Sequence, residues 1–197
     1  MSLRGLYAIT PDGVASDELV EKVCLALEGG IALLQYRRKA TGSFEEAKTL
    51  LQLARQHGVP FIVNDDVALA RELGADGVHV GRDDLDVVAT RRKLPGKLVG
   101  ASCYNDLERA RNAVRDGADY VAFGSVFASP TKPGAVRAPL SLFGRNLGVP
   151  LCAIGGVTLG NAPALLEAGA SLLAVISDLF DAPDVRLRAR QYGKLFA

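Results

Sequence analysis

Short aliphatic runs and amphipathic stretches alternate along the whole chain, and that alternation leaves few folds open. The runs cover residues 6–10, 32–36, 61–64, 77–80, 98–102, 120–125, 151–154 and 172–176, each four to six residues long and bounded by Gly, Pro or Asp. Such continuous apolar segments suit parallel strands covered on both faces. Between them apolar residues recur at helical spacing, as in Leu19, Val20, Val23, Ala26 and Leu27, with Ser16 expected as N-cap. In another stretch Ala110, Ala113 and Val114 face one way, while Glu108, Arg109 and Arg111 decorate the remaining surface.

A glycine junction recurs as well. Glu28-Gly29-Gly30-Ile31, Leu73-Gly74-Ala75-Asp76-Gly77, Asp116-Gly117-Ala118-Asp119-Tyr120 and Ala168-Gly169-Ala170-Ser171-Leu172 each put glycine where a helix should stop and a strand begin. They mark every second helix-to-strand passage, the signature of a repeated βαβα unit. Eight strand-plus-helix units in 197 residues leave about 25 residues per unit, close to the lower size limit of a (β/α)8 barrel. The expected fold is therefore α/β, a (β/α)8 TIM barrel, as one compact domain over residues 1–197. A doubly wound open sheet shares the alternation, but its Gly-rich dinucleotide fingerprint is missing.

Composition narrows the partners. Hydrophobic residues make up 49% and charged residues 23%, enough for a core and unlike a disordered chain. The 23 basic and 22 acidic side chains leave a net charge of +1, which offers no footprint for nucleic acid or an anionic membrane. Cys24, Cys103 and Cys152 are widely spaced in apolar runs, as expected of buried, reduced thiols in a cytoplasmic protein. The start has no signal-peptide core, and no stretch reaches the roughly 18 apolar residues of a membrane span.

In a parallel α/β fold the chemistry gathers beyond the carboxyl ends of the strands. Those positions hold Gln35-Tyr36-Arg37-Arg38-Lys39, Asn64-Asp65-Asp66, His79-Val80-Gly81-Arg82-Asp83-Asp84, Ser102-Cys103-Tyr104, Ser129-Pro130-Thr131-Lys132-Pro133-Gly134, Gly155-Gly156 and Ile176-Ser177. Glycines after the seventh strand and a small polar residue after the eighth make a phosphate-binding corner in such barrels. Arg and Lys beside a strand end can clamp phosphate oxygens. Asp65 and Asp84 follow adjacent strands and can share one Mg²⁺, which takes one or two carboxylates plus water and phosphate oxygens. Together these features point to a diphosphate substrate and a second phosphorylated species.

Other polar residues have simpler readings. Asp66 and either Asp83 or Asp86 are expected as helix N-caps. His79 lies inside a strand and reads as a packed or hydrogen-bonded histidine, and His57 as a helix-end residue. Cys103 reads as packing, with no nucleophilic dyad evident. Arg186, Arg188 and Arg190 read as a solvated helix face.

Taken in order, the strand ends resemble the thiamine phosphate synthase family. The resemblance runs from Leu6-Tyr7-Ala8-Ile9-Thr10 to Val175-Ile176-Ser177 and is strongest at Gln35-Tyr36-Arg37-Arg38-Lys39, Asn64-Asp65-Asp66, residues 77–85, Thr131-Lys132 and Ala153-Ile154-Gly155-Gly156-Val157. It implies a barrel enzyme that joins a hydroxymethylpyrimidine diphosphate to a thiazole phosphate, releasing pyrophosphate, and a chain that can self-associate. Carried over, Gln35, Arg37, Lys39, Asn64, Ser102 and Lys132 hold the pyrimidine diphosphate, with Tyr36 and Arg38 beside them. Asp65 and Asp84 ligate Mg²⁺. Ser129, Pro130 and Thr131 meet the thiazole phosphate with Gly156, Ile176 and Ser177. Arg37, Lys39, Ser102 and Lys132 form the expected catalytic set, with Lys132 carried on a closing loop over residues 128–138. Departures are Arg38 in place of a usual acidic residue, Arg82 in place of glutamine, and Ala128-Ser129 in place of Pro-Thr. Rival readings are a thiazole tautomerase on the same barrel, a non-catalytic barrel that binds a phosphorylated ligand, and another phosphate-handling isomerase. Tyr104 stands where the tautomerase would have histidine.

Overall fold

The computed structural model describes residues 3–38, 42–81, 86–128 and 136–197. Eight strands, β1 (Gly5–Ile9), β2 (Leu33–Tyr36), β3 (Phe61–Asn64), β4 (Gly77–Val80), β5 (Leu98–Tyr104), β6 (Tyr120–Gly124), β7 (Leu151–Ile154) and β8 (Leu172–Val175), pair in parallel and in chain order. β8 pairs back onto β1 in the register Leu6↔Leu173, so the sheet is a closed barrel. Helices α1 (Ser16–Glu28), α2 (Phe44–Gln56), α3 (Val67–Leu73), α4 (Val87–Lys93), α5 (Leu107–Arg115), α6 (Ala162–Glu167), α7 (Ser177–Phe180) and α8 (Val185–Lys194) complete it. Among the described residues no helix is long and apolar enough to cross a membrane.

Period-two alternation divides the strand residues between two cores. Tyr7, Ile9, Leu33, Ile62, Tyr120 and Cys152 belong to the cluster filling the barrel. Leu6, Leu34, Val63, Val78, Val121 and Leu173 belong to the larger cluster between strands and helices. The strand opposite Tyr120 must make room for its ring. A Cβ on Gly100 would sit 2.1 Å from the Tyr120 ring, so this barrel layer pairs the smallest residue with one of the largest.

Local chemistry explains most element ends. Asp66, Asp86, Asp106 and Asp184 cap α3, α4, α5 and α8 through their side chains. Gly30, Gly74, Gly117 and Gly169 at the recurring junctions all have positive φ. His57 closes α2 through its backbone N–H.

Four expectations are corrected. Ser16 is the first residue of α1 rather than its cap, because its hydroxyl donates to Glu46 of α2 at 2.5 Å. Among the described residues β6 is followed by a 3₁₀ turn, Leu140–Leu142, rather than an α-helix, in a segment broken by Pro139 and Gly144. Cys24 is half-exposed beside Glu28, whereas Cys103 and Cys152 are buried, and burial pushes the Cys103 thiol up to about 12. Arg186 pairs with Glu28, and Arg188 pairs with Asp178 at 2.7 Å, so these two arginines dock α8 onto α1 and α7.

Gly100→Ala is expected to overpack the Tyr120 layer and destabilise the fold by about 1–3 kcal/mol. Urea unfolding monitored by circular dichroism measures this directly. An unchanged midpoint would mean that the ring has room to move.

Candidate active site

Because β2 alternates, the stretch that follows it splits between the two faces of the barrel wall. Gln35 turns inward, where its amide Nε2 donates to the Tyr7 hydroxyl at 2.6 Å. Arg37, also on the inner side, stands above the β1 end. Its Nη1 contacts Asp12 Oδ2 at 2.6 Å, its backbone N–H donates to Thr10 Oγ1 at 2.8 Å, and the Thr10 hydroxyl donates back to the Arg37 carbonyl. Two opposed bonds to one buried threonine fix the guanidinium's base at the mouth of the barrel.

Tyr36 and Arg38, expected beside the substrate-binding residues, go the other way. Both reach Glu46 on α2. The Tyr36 hydroxyl donates to Glu46 Oε1 at 2.9 Å. Arg38 Nη2 donates to Oε2 at 3.2 Å, and its Nε lies 3.1 Å from Oε1 without the alignment of a hydrogen bond. Only 2% of either charged side chain is exposed. Burial, reinforced by the Glu46 carboxylate, drives the Tyr36 phenol well above its ordinary pKa. Arg38 thus neutralises a buried carboxylate behind the wall, which accounts physically for a base at this position.

At the end of β3, Asn64 Nδ2 donates to Asp65 Oδ2 at 2.6 Å. Asp65 adopts φ 62°, unusual for a residue with a side chain, and its N–H is held by the His79 carbonyl at 2.8 Å. His79 is buried, as expected, but it also makes a pairing that the sequence did not reveal. Its Nε2 lies 2.9 Å from Ser102 Oγ and its Nδ1 3.0 Å from the Tyr120 hydroxyl. The third member is a phenol rather than a carboxylate, so the trio lacks the group that would stabilise an imidazolium in a nucleophilic triad.

Arg109 is a further contributor that helical patterning had assigned to the surface. From α5 it donates to the Ser102 carbonyl at 2.9 Å and the Gly81 carbonyl at 3.1 Å, and its guanidinium covers the Tyr104 ring. It ties the ends of β4 and β5 together.

The remaining corner is assembled from β7 and β8. Gly156 has φ 68°, and a Cβ there would lie 2.4 Å from the Ala128 carbonyl oxygen, so the chain can pass only as glycine. Asn161 Nδ2 donates to the Gly156 carbonyl at 2.9 Å. Ile176 and Ser177 lead into the single turn of α7. Asp178 secures them, accepting from Leu159 N–H at 3.2 Å and the Tyr192 hydroxyl at 2.8 Å while pairing with Arg188. Lys39, Arg82, Asp83, Asp84, Ser129, Pro130, Thr131 and Lys132 lie outside the described residues. Among the described residues no group of three or more His, Cys, Asp or Glu side chains could hold a metal.

The chain's resemblance to known proteins spans its length. Residues 6–179 match the family described as thiamine monophosphate synthase. The thiamine-phosphate synthase of Aromatoleum aromaticum is 56% identical, covering 98% of this chain and 97% of its own length. That of Azoarcus sp. strain BH72 is 54% identical, covering 99% and 98%. The solved thiamine phosphate pyrophosphorylase from Pyrococcus furiosus superposes with a TM-score of 0.86 at 34% identity, over 99% of this chain and 96% of that one.

Removing the carboxylate of Glu46 would leave Arg38 charged and buried. Glu46→Ala is expected to destabilise the fold by about 3–5 kcal/mol, and the double variant Arg38→Met/Glu46→Leu to recover most of that loss. Denaturant unfolding of both variants separates the cost of an orphaned charge from the cost of lost packing.

Proposed function

The chain belongs to the thiamine monophosphate synthase family, and we propose that its barrel mouth transfers a hydroxymethylpyrimidine group from its diphosphate to a thiazole phosphate. The bond that breaks joins the pyrimidine methylene carbon to the diphosphate oxygen. The bond that forms joins that carbon to the thiazole nitrogen, giving thiamine phosphate and pyrophosphate. The observation that carries this reading is the family match along residues 6–179, with Gln35, Arg37, Asn64, Asp65 and Ser102 at the carboxyl ends of β2, β3 and β5.

The chemistry asks for charge neutralisation and alignment rather than a covalent nucleophile. Arg37 is held in advance by Asp12 and Thr10, so its remaining N–H groups can receive phosphate oxygens without reordering the side chain. The glycine turn at Gly156 and the entry to α7 at Ser177 suit the thiazole phosphate, because backbone can approach an anion closely there. Lys39 and Lys132 join the leaving-group clamp, and Ser129, Pro130 and Thr131 the thiazole phosphate site, on the strength of the resemblance.

Asp65 fits a Mg²⁺ ligand: it offers hard carboxylate oxygen at a strand end, oriented by Asn64, and the resemblance adds Asp84. When bound, Mg²⁺ would offset the negative charge of the departing pyrophosphate. The thiazole tautomerase reading is disfavoured by relatives named thiamine-phosphate synthase and by Tyr104, whose ring packs under Arg109. A cytoplasmic, self-associating protein completes the reading, supported by its free thiols and the resemblance.

Purified protein incubated with both phosphorylated precursors is expected to form thiamine phosphate and pyrophosphate in equal amounts, and only when Mg²⁺ is present. Precursor binding without product would overturn the enzymatic reading in favour of a ligand-binding barrel. Lys132→Ala is expected to lose about 100-fold or more in turnover, as when a preorganised charge contact is removed, with an unchanged melting temperature. Asp65→Asn should raise the Mg²⁺ concentration required for half-maximal rate. Full activity of the first variant, or an unshifted metal titration for the second, removes that residue from the site.

A further inference from the structure

The barrel interior contains an unbroken polar chain that joins Gln35 on β2 to Ser102 on β5. Gln35 Nε2 reaches the Tyr7 hydroxyl at 2.6 Å, Tyr7 reaches the Tyr120 hydroxyl at 2.7 Å, Tyr120 reaches His79 Nδ1 at 3.0 Å, and His79 Nε2 reaches Ser102 Oγ at 2.9 Å. We infer that Tyr7, Tyr120 and His79 are positioning residues that give this chain one direction, so that Ser102 presents its hydroxyl proton, and Gln35 its amide oxygen, to the substrate. The inference rests on the reading of Gln35 and Ser102 as substrate contacts.

The direction follows from counting hydrogens. An amide N–H can only donate, so Tyr7 accepts from Gln35 and its single hydrogen goes to Tyr120. Tyr120 then donates its hydrogen to His79 Nδ1. With Nδ1 accepting, the imidazole proton sits on Nε2 and is donated to Ser102. Ser102 Oγ then accepts from His79, and its own hydrogen is left over for an acceptor outside the chain. With the Gln35 amide placed as it is, the reverse chain would leave the buried Tyr7 hydrogen without an acceptor, so reversal requires the amide to turn over and present Oε1 to Tyr7. Burial keeps both phenols protonated by driving them far above their ordinary pKa. A substrate atom meeting Ser102 must therefore accept a hydrogen bond, and one meeting Gln35 Oε1 must donate. The same polarity means that His79 does not activate Ser102 as a nucleophile.

The chain carries two histidines, so ¹⁵N-histidine NMR of the full protein reads the tautomer directly, with His57→Gln identifying the other signal. His79 is expected to show a lone-pair nitrogen at Nδ1 and a protonated nitrogen at Nε2. The opposite tautomer or an imidazolium would overturn the inference. His79→Leu should lower kcat/KM for the pyrimidine diphosphate about tenfold, the scale of one lost buried hydrogen bond. His79→Gln, which can accept from Tyr120 and donate to Ser102, should restore it to within about threefold. In a Ser102→Ala background, His79→Leu should cost no more than about twofold further, because its effect passes through Ser102. Equal losses in the Gln and Leu variants, or full additivity with Ser102→Ala, would overturn the inference. Absence of thiamine phosphate from the wild-type reaction would instead overturn the enzymatic reading, and the tautomer measurement would stand apart from it.

Discussion

Closure of the sheet is the constraint on which the rest of this molecule depends. With β8 paired to β1 there is no free strand edge, and each strand residue faces either the barrel interior or the helices. Strands of four or five residues at most positions leave only two or three inward side chains each. One inward position lost to a slip in register would move a whole strand's polar end from the mouth to the outer layer. That is why neighbours as similar as Arg37 and Arg38 meet such different fates. One stands at the mouth against Asp12, and the other is sealed behind the wall against Glu46.

The interior is not purely aliphatic, and its polar groups are tolerable because they satisfy one another. Tyr7, Tyr120 and His79 fill volume as aromatic rings while their polar atoms join into one chain, and Gly100 supplies the space that Tyr120 needs. On the outer side, Glu46 gathers Ser16, Tyr36 and Arg38, linking α1, β2 and α2 around one carboxylate. Arg109 and Asp178 do comparable work nearer the mouth, the first joining the ends of β4 and β5 and the second holding the β7 and β8 exits to α8. The mouth is therefore braced from behind by groups that need not touch substrate.

Much of this was legible in the chain itself. The eight apolar runs coincide with the eight strands to within two residues at each end, because a strand covered on both faces must be continuously apolar. Asp66 and Asp86 cap helices as their positions implied, since capping is a contact over three residues. Ser16 misled because a serine at a helix start can serve either its own backbone or a distant acceptor, and Glu46 lies thirty residues away. The helix expected after β6 failed on its own Pro139 and Gly144. Tyr36 and Arg38 adjoin Gln35 and Arg37 in sequence, but the period of two along a strand sends them outward to Glu46.

The sequence by itself determined the architecture, the order of the strands and most of the places where they end. These follow from hydrophobic period, turn residues and caps, all of which act over a few residues. Only the tertiary structure decided which partner each polar group found: His79 with Ser102 and Tyr120, Arg38 with Glu46, Arg109 with the carbonyls of Gly81 and Ser102. Those contacts join different elements, whether 41 residues apart as His79 and Tyr120 or only eight as Arg38 and Glu46. Hydrogen bonding and ion pairing act over a few ångströms in space, and no local pattern encodes which distant group closure will bring within reach.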